Sequence, residues 1–132
     1  MYRDLPVDKE ALKRLYAEDL HASETQLRAI VLEFYQRMAQ DVMLGFFFLG
    51  KDIAETAHKQ ADFLLRQMGV APSYSGRPPG QAHLQMPPIL SGHFDRRLKI
   101  LEELLQEKKI SQPGIQAWLG FENAFRSVIV KD

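Results

Sequence analysis

Apolar positions recur along this chain at helical spacing from one end to the other. Leu12, Leu15, Tyr16 and Leu20 predict a helix that Asp8 can cap and that runs to about Leu20. Ser23-Glu24-Thr25-Gln26 has the form of a capping box, opening a helix to about Gln40 with the stripe Leu27, Val31, Phe34, Tyr35 and Met38. Leu44-Gly45-Phe46-Phe47-Phe48-Leu49-Gly50 reads as an aromatic corner, too short for a helix of its own. Asp52 can cap the next helix, to about Met68, which Gly69 and then Pro72 stop. From Val70 to Gly92 proline and glycine dominate. That is long for a loop in a compact domain, so it is read as functional or as holding a turn or two of helix around Pro79 to Leu84. A helix returns from about Ser91 to Lys108, with Phe94, Leu98, Leu101 and Leu105 on one face. Pro113 suits a first helical turn, and the helix it opens carries Ile115, Trp118, Leu119, Phe125, Val128 and Ile129. No stretch alternates like a strand, so the expected class is all-α.

Composition narrows the function more than the fold. A chain of 132 residues holds one domain, expected over 1–132 with 1–22 as an N-terminal extension and helix. The formal net charge is zero and no basic block occurs, which argues against nucleic acid or an anionic membrane as partner. No run approaches the roughly 18 apolar residues of a membrane span. The start, Met1-Tyr2-Arg3-Asp4-Leu5-Pro6, does not read as a signal peptide, so a cytoplasmic location is expected. The absence of cysteine excludes disulfides, thiolate metal sites and Cys-x-x-Cys-His attachment of a prosthetic group. Eight Phe, four Tyr and one Trp can wall a flat apolar ligand or fill a core.

Several polar residues stand where a core would not ask for them. Thr56, Lys59, Gln60, Phe63, Leu64 and Gln67 share one helix face. Gln60 there either hydrogen-bonds a ligand or sits at the stripe's edge and reaches water. Tyr35 lies in an apolar stripe, so its hydroxyl needs a partner, a ligand or a backbone carbonyl. His58 is two residues from Gln60, about 200° round the helix, and should face solvent. His21 reads as surface, and His93, beside Phe94, as half-exposed. His83 lies between the Pro/Gly-rich segments Tyr74-Ser75-Gly76-Arg77-Pro78-Pro79-Gly80 and Met86-Pro87-Pro88. A histidine so held has a fixed backbone and an open side, which suits coordination of iron, with His93 the second choice. A lone histidine is ordinarily no ligand, but with Phe34-Tyr35 and the Gln60-to-Leu64 stretch His83 points to a haem pocket. Other chemistry has less support. Glu55 and His58 stand at Glu-x-x-His spacing without the further ligands a metal needs. Ser75 and Ser91 have no evident base, and Glu102, Glu103 and Glu107 read as a solvated face.

In this order, Phe34-Tyr35, Phe48, Gln60 with Phe63-Leu64, Tyr74-Ser75-Gly76, His83 and His93-Phe94 resemble the truncated haemoglobins, the bacterial two-over-two helical globins, over roughly residues 25 to 130. The His-Leu-Gln-Met-Pro-Pro and His-Phe-Asp-Arg pieces look most like that family's third group, the Gln60 and Phe63 region more like its first. The resemblance implies non-covalent haem b with His83 as proximal iron ligand and Phe48 packed on the haem. It implies Tyr35 and Gln60 as distal hydrogen-bonding residues, Phe63 and Leu64 as apolar wall, and Lys59 as partner of a haem propionate. Thr56 takes the place of a distal histidine. Tyr74 and Phe94 join the expected haem contacts.

One departure concerns Arg97, which falls where the family usually has Trp or an apolar residue facing the haem. It either supplies a distal cation for anionic ligands or packs its stem while its head reaches a propionate or water. The glycines the family carries before Tyr-x-Gly are reduced to Gly69, and those before the tyrosine helix are replaced by Ser23-Glu24-Thr25. The expected function is reversible binding of oxygen, nitric oxide or carbon monoxide by a monomer or weak homodimer. The alternatives are nitric oxide dioxygenation, which needs a reductase, and a haem-free interaction module on a globin scaffold.

Overall fold

The computed structural model describes residues 6–72 and 88–132. His83, Tyr74, Ser75 and the expected turn around Pro79 to Leu84 lie outside them. The described residues form α1 (Lys9–Arg14), α2 (Glu24–Gln40), α3 (Ile53–Gln67), α4 (Ser91–Glu107), α5 (Gln112–Asn123) and α6 (Arg126–Ile129). A 3₁₀ turn, Gly45–Phe48, forms the aromatic corner.

The expected helix starts are present. Asp8 Oδ1 accepts from the Ala11 N–H at 3.0 Å, Ser23 Oγ from Gln26 at 3.0 Å and Asp52 Oδ1 from Glu55 at 3.1 Å. Each satisfies a donor that the first turn leaves open. Gly69 ends α3 at φ +80°, in the left-handed region that favours glycine. Two elements differ from the sequence expectation. The first helix does not stay α to Leu20. It widens to a π turn over Leu15–Asp19, where the Leu20 N–H bonds to the Leu15 carbonyl at 3.1 Å. The last helix is two, divided at Ala124-Phe125, and Phe125 there packs its ring on Phe63 and Phe121.

α2 packs against α3 and α4, and α5 against α4 and α1. The α2–α3 and α4–α5 pairs face one another across a core centred on Trp118, Phe34, Leu101 and Leu104, the two-over-two arrangement. Each such side chain contributes about 1.5–3 kcal/mol on leaving water. Polar clasps set the register between elements. Asp19 accepts from the Ser111 N–H and hydroxyl, both at 2.9 Å, and Gly114 of α5 lies so close to this carboxylate that a Cβ would collide with it. Asp41 at the end of α2 accepts from Arg96 of α4 at 2.7 Å and from the Met43 and Leu44 N–H groups. Asp132 accepts from the Ser91 N–H and hydroxyl at the start of α4. Among the described residues the β structure is one isolated bridge, Ile89 with Val130.

Candidate functional site: a tyrosine, an arginine and a glutamate beside one cavity

The periodicity of α2 puts Tyr35 in the core stripe, and it is 4 % exposed. Its ring meets Phe34 edge-on at 5.5 Å and Phe48, from the aromatic corner, at 6.0 Å. Among the described residues its hydroxyl meets a side chain and not a backbone carbonyl. Arg97 of α4 donates to it from Nη2 at 3.2 Å.

Arg97 is anchored by Glu122 of α5, whose Oε2 accepts from Nε at 3.1 Å and from Nη2 at 2.9 Å. Its Nη1 lies 3.5 Å from the Met38 sulfur, and its guanidinium carbon is 4.9 Å from the Phe34 ring centroid and 5.5 Å from that of Tyr35. The arginine side chain is 22 % exposed and the glutamate 12 %, so the pair is largely out of water. The arginine head turns inward, to Glu122 and Tyr35. A cation on a core stripe requires a counter-charge, and Glu122 supplies it. Burial pulls the Arg97 pKa down, but Glu122 and Tyr35 outweigh it and hold the group above its ordinary value. Burial raises the Tyr35 pKa, with Arg97 opposing. At neutral pH the phenol keeps its proton.

Tyr35 and Glu122 border a small cavity of about 10 Å³, room for a water-sized group, with Val31, Phe34, Gln60, Leu64, Trp118 and Phe121. Three helices, α2, α3 and α5, meet here because each turns an apolar stripe inward. Gln60 and Leu64, from α3, both line the cavity. Arg97 is not among the lining residues. It stands behind Tyr35 and Glu122 and holds both.

Thr56, Lys59, Phe63 and Phe94 are not among the residues that line this cavity. Thr56 is half-buried and off the cavity. Lys59 pairs with Glu55 at 3.2 Å, an exposed and exchangeable contact. Phe63 packs on Phe121 at 5.9 Å and on Phe125 at 5.7 Å. Phe94 is buried, with the Arg126 guanidinium 4.7 Å over its ring. His93 is half-exposed as expected. Its Nδ1 accepts from the Leu90 N–H at 3.0 Å, and its ring meets Phe46 and Phe47 edge-on. His58 lies away from the cavity but does not face open solvent. Its Nδ1 is 3.2 Å from Arg28 of α2, and its Nε2 is 3.5 Å from Asp62, which Arg28 also holds at 2.6 Å.

Sequence reasoning missed Glu122 and Asp62. Glu122 had a signal, since it follows Ile115 and Trp118 on their own stripe, where an acid asks for a buried partner. Asp62 had a weaker one, a single carboxylate between Ala61 and Phe63 whose partner Arg28 lies in another helix.

A buried phenol, a primary amide and the Glu122 carboxylate converge on one small cavity walled by Val, Leu, Phe and Trp, a donor set that suits a small polar ligand beside a haem. Searches among curated proteins and among solved structures each found no match. The chain matches the bacterial-like globin family over residues 15–130, ten residues further toward the N-terminus than the motifs alone suggest. With its all-α two-over-two fold and that match, the chain belongs to the bacterial-like globin family.

Proposed function

We propose that the chain binds non-covalent haem b through His83 and takes up a diatomic gas in the cavity beside Tyr35 and Gln60. The observation that carries this reading is the convergence of a buried phenol and an amide on one apolar-walled cavity in a chain of globin family. When bound, ferrous haem supplies an open iron position for oxygen, nitric oxide or carbon monoxide. The residues around it do the rest. Val31, Phe34, Leu64, Trp118 and Phe121 exclude water and lower the local dielectric, which strengthens any hydrogen bond made inside. The Tyr35 hydroxyl and the Gln60 amide offer donors to a ligand that carries partial negative charge. Phe48 braces the Tyr35 ring from the aromatic corner. Lys59, paired among the described residues with the exposed Glu55 carboxylate, can exchange toward a haem propionate.

We read the chain as a binding protein first. Conversion of nitric oxide would need an electron donor from a separate reductase. The competing reading, a haem-free interaction module, draws on the Arg97–Glu122 pair, which puts charge where the resemblance puts an apolar haem contact. Visible spectra of the protein with added hemin decide between them. A sharp ferrous–CO Soret band at one haem per chain, lost in His83→Ala, is the expected result. Loose, non-saturating uptake, or unchanged spectra in His83→Ala, would overturn the assignment.

A further inference from the structure

Arg97 touches the cavity only through other residues, and the chemistry of that relay is specific. A guanidinium is all donor, so in the 3.2 Å contact the phenol oxygen of Tyr35 must accept. The hydroxyl proton is then left over. It has no acceptor among the described residues, although Tyr35 is 4 % exposed and lines the cavity. Glu122 fixes the guanidinium through two nitrogens, so Tyr35 cannot reverse its role without breaking the ion pair. A hydrogen bond received from a cation also polarises the O–H that the phenol offers in turn.

We infer that the Arg97–Glu122 pair is a specificity device: it holds Tyr35 as an obligate, polarised donor into the cavity, so the site prefers small anionic, hydrogen-bond-accepting ligands such as azide and fluoride over carbon monoxide. This rests on the haem reading above and names the ligand class of that same site. Arg97 is here a positioning residue, acting through Tyr35. The charged groups facing the phenol are Arg97 from α4 and Glu122 from α5; Phe34 and Phe48 close its other sides.

The test is a cycle of variants. Removing Glu122 alone would strand a buried cation, so the pair is replaced together as Arg97→Met/Glu122→Leu, a change buried ion pairs often tolerate. Azide and fluoride affinities are measured on the ferric hemin-loaded protein and carbon monoxide affinity on the ferrous, with and without Tyr35→Phe. Loss of the pair should weaken azide about tenfold, the worth of one hydrogen bond to a charged group. Carbon monoxide should move less than about twofold, and the azide effect should vanish in the Tyr35→Phe background. Equal losses for azide and carbon monoxide would mean general damage, and an undiminished azide effect with Tyr35→Phe would mean a direct cation; either overturns the inference.

Should the wild type hold no hemin, the haem reading fails by itself. The relay is then decided on the haem-free protein by following the Tyr35 ring carbon by NMR through an alkaline titration, assigned by Tyr35→Phe. Replacing the pair removes a donor to the phenolate, so ionisation should move to higher pH. An unmoved or lowered transition would overturn the relay.

Discussion

Glu122→Leu is the sharpest perturbation of stability the structure offers. The substitution removes the one oxygen, Glu122 Oε2, that accepts from both Arg97 Nε and Nη2, and leaves the guanidinium with the Tyr35 oxygen and the Met38 sulfur. Breaking a buried ion pair from one side costs about 3–5 kcal/mol. The two side chains keep 22 % and 12 % of their exposure, so some water reaches the stranded cation and the lower end applies, about 3 kcal/mol. For a chain of this length that lowers Tm by about 10 °C. Urea and thermal unfolding of the hemin-free protein at neutral pH read it directly. Arg97→Met/Glu122→Leu should recover at least about 2 kcal/mol of the loss, because no charge is then left without a partner. A single variant within about 0.5 kcal/mol of wild type, or a double variant less stable than the single, would refute the view that Glu122 is there to hold a buried arginine.

Tyr35→Phe should speed oxygen release about tenfold in flash photolysis of the hemin-loaded protein, the worth of one donor in a low-dielectric pocket; an unchanged rate would place the phenol away from the ligand. The Arg96 guanidinium, with help from the Met43 and Leu44 N–H groups, holds the Asp41 carboxyl below its ordinary value. A depressed folded pKa contributes stability that is present above the unfolded value and lost as pH falls through the folded one. Asp41→Asn should therefore flatten the acid limb below about pH 4 in a stability–pH profile, and an unchanged limb would mean the clasp is dispensable. Gly69→Ala puts a side chain at φ +80° and should cost about 1 kcal/mol in urea unfolding without altering ligand affinity; no loss would mean the turn relaxes.

Helical spacing alone determined the all-α class, and single polar residues before each stripe determined the starts of α1, α2 and α3. These are local properties: a cap needs one side chain within three residues of an open N–H, and a stripe needs only its own period. The burial of Tyr35 was legible for the same reason, whereas the period left Gln60 between a ligand and water. What the period could not carry was the identity of partners. The Tyr35 hydroxyl meets an arginine 62 positions away, and that arginine meets a glutamate 25 positions further on. His58 was placed in solvent because its angle on α3 leaves the Gln60 face, but that angle says nothing of α2, whose Arg28 covers it. The π turn in the first helix and the break before α6 also escaped, since both satisfy packing with distant residues at the expense of a locally adequate α-helix. The sequence by itself thus determined which faces are apolar and where helices begin. Only the tertiary structure decided that a charge on one such face would be paired, through which residue, and with a further donor of the same guanidinium turned onto Tyr35, because pairing buried charge depends on which helices meet.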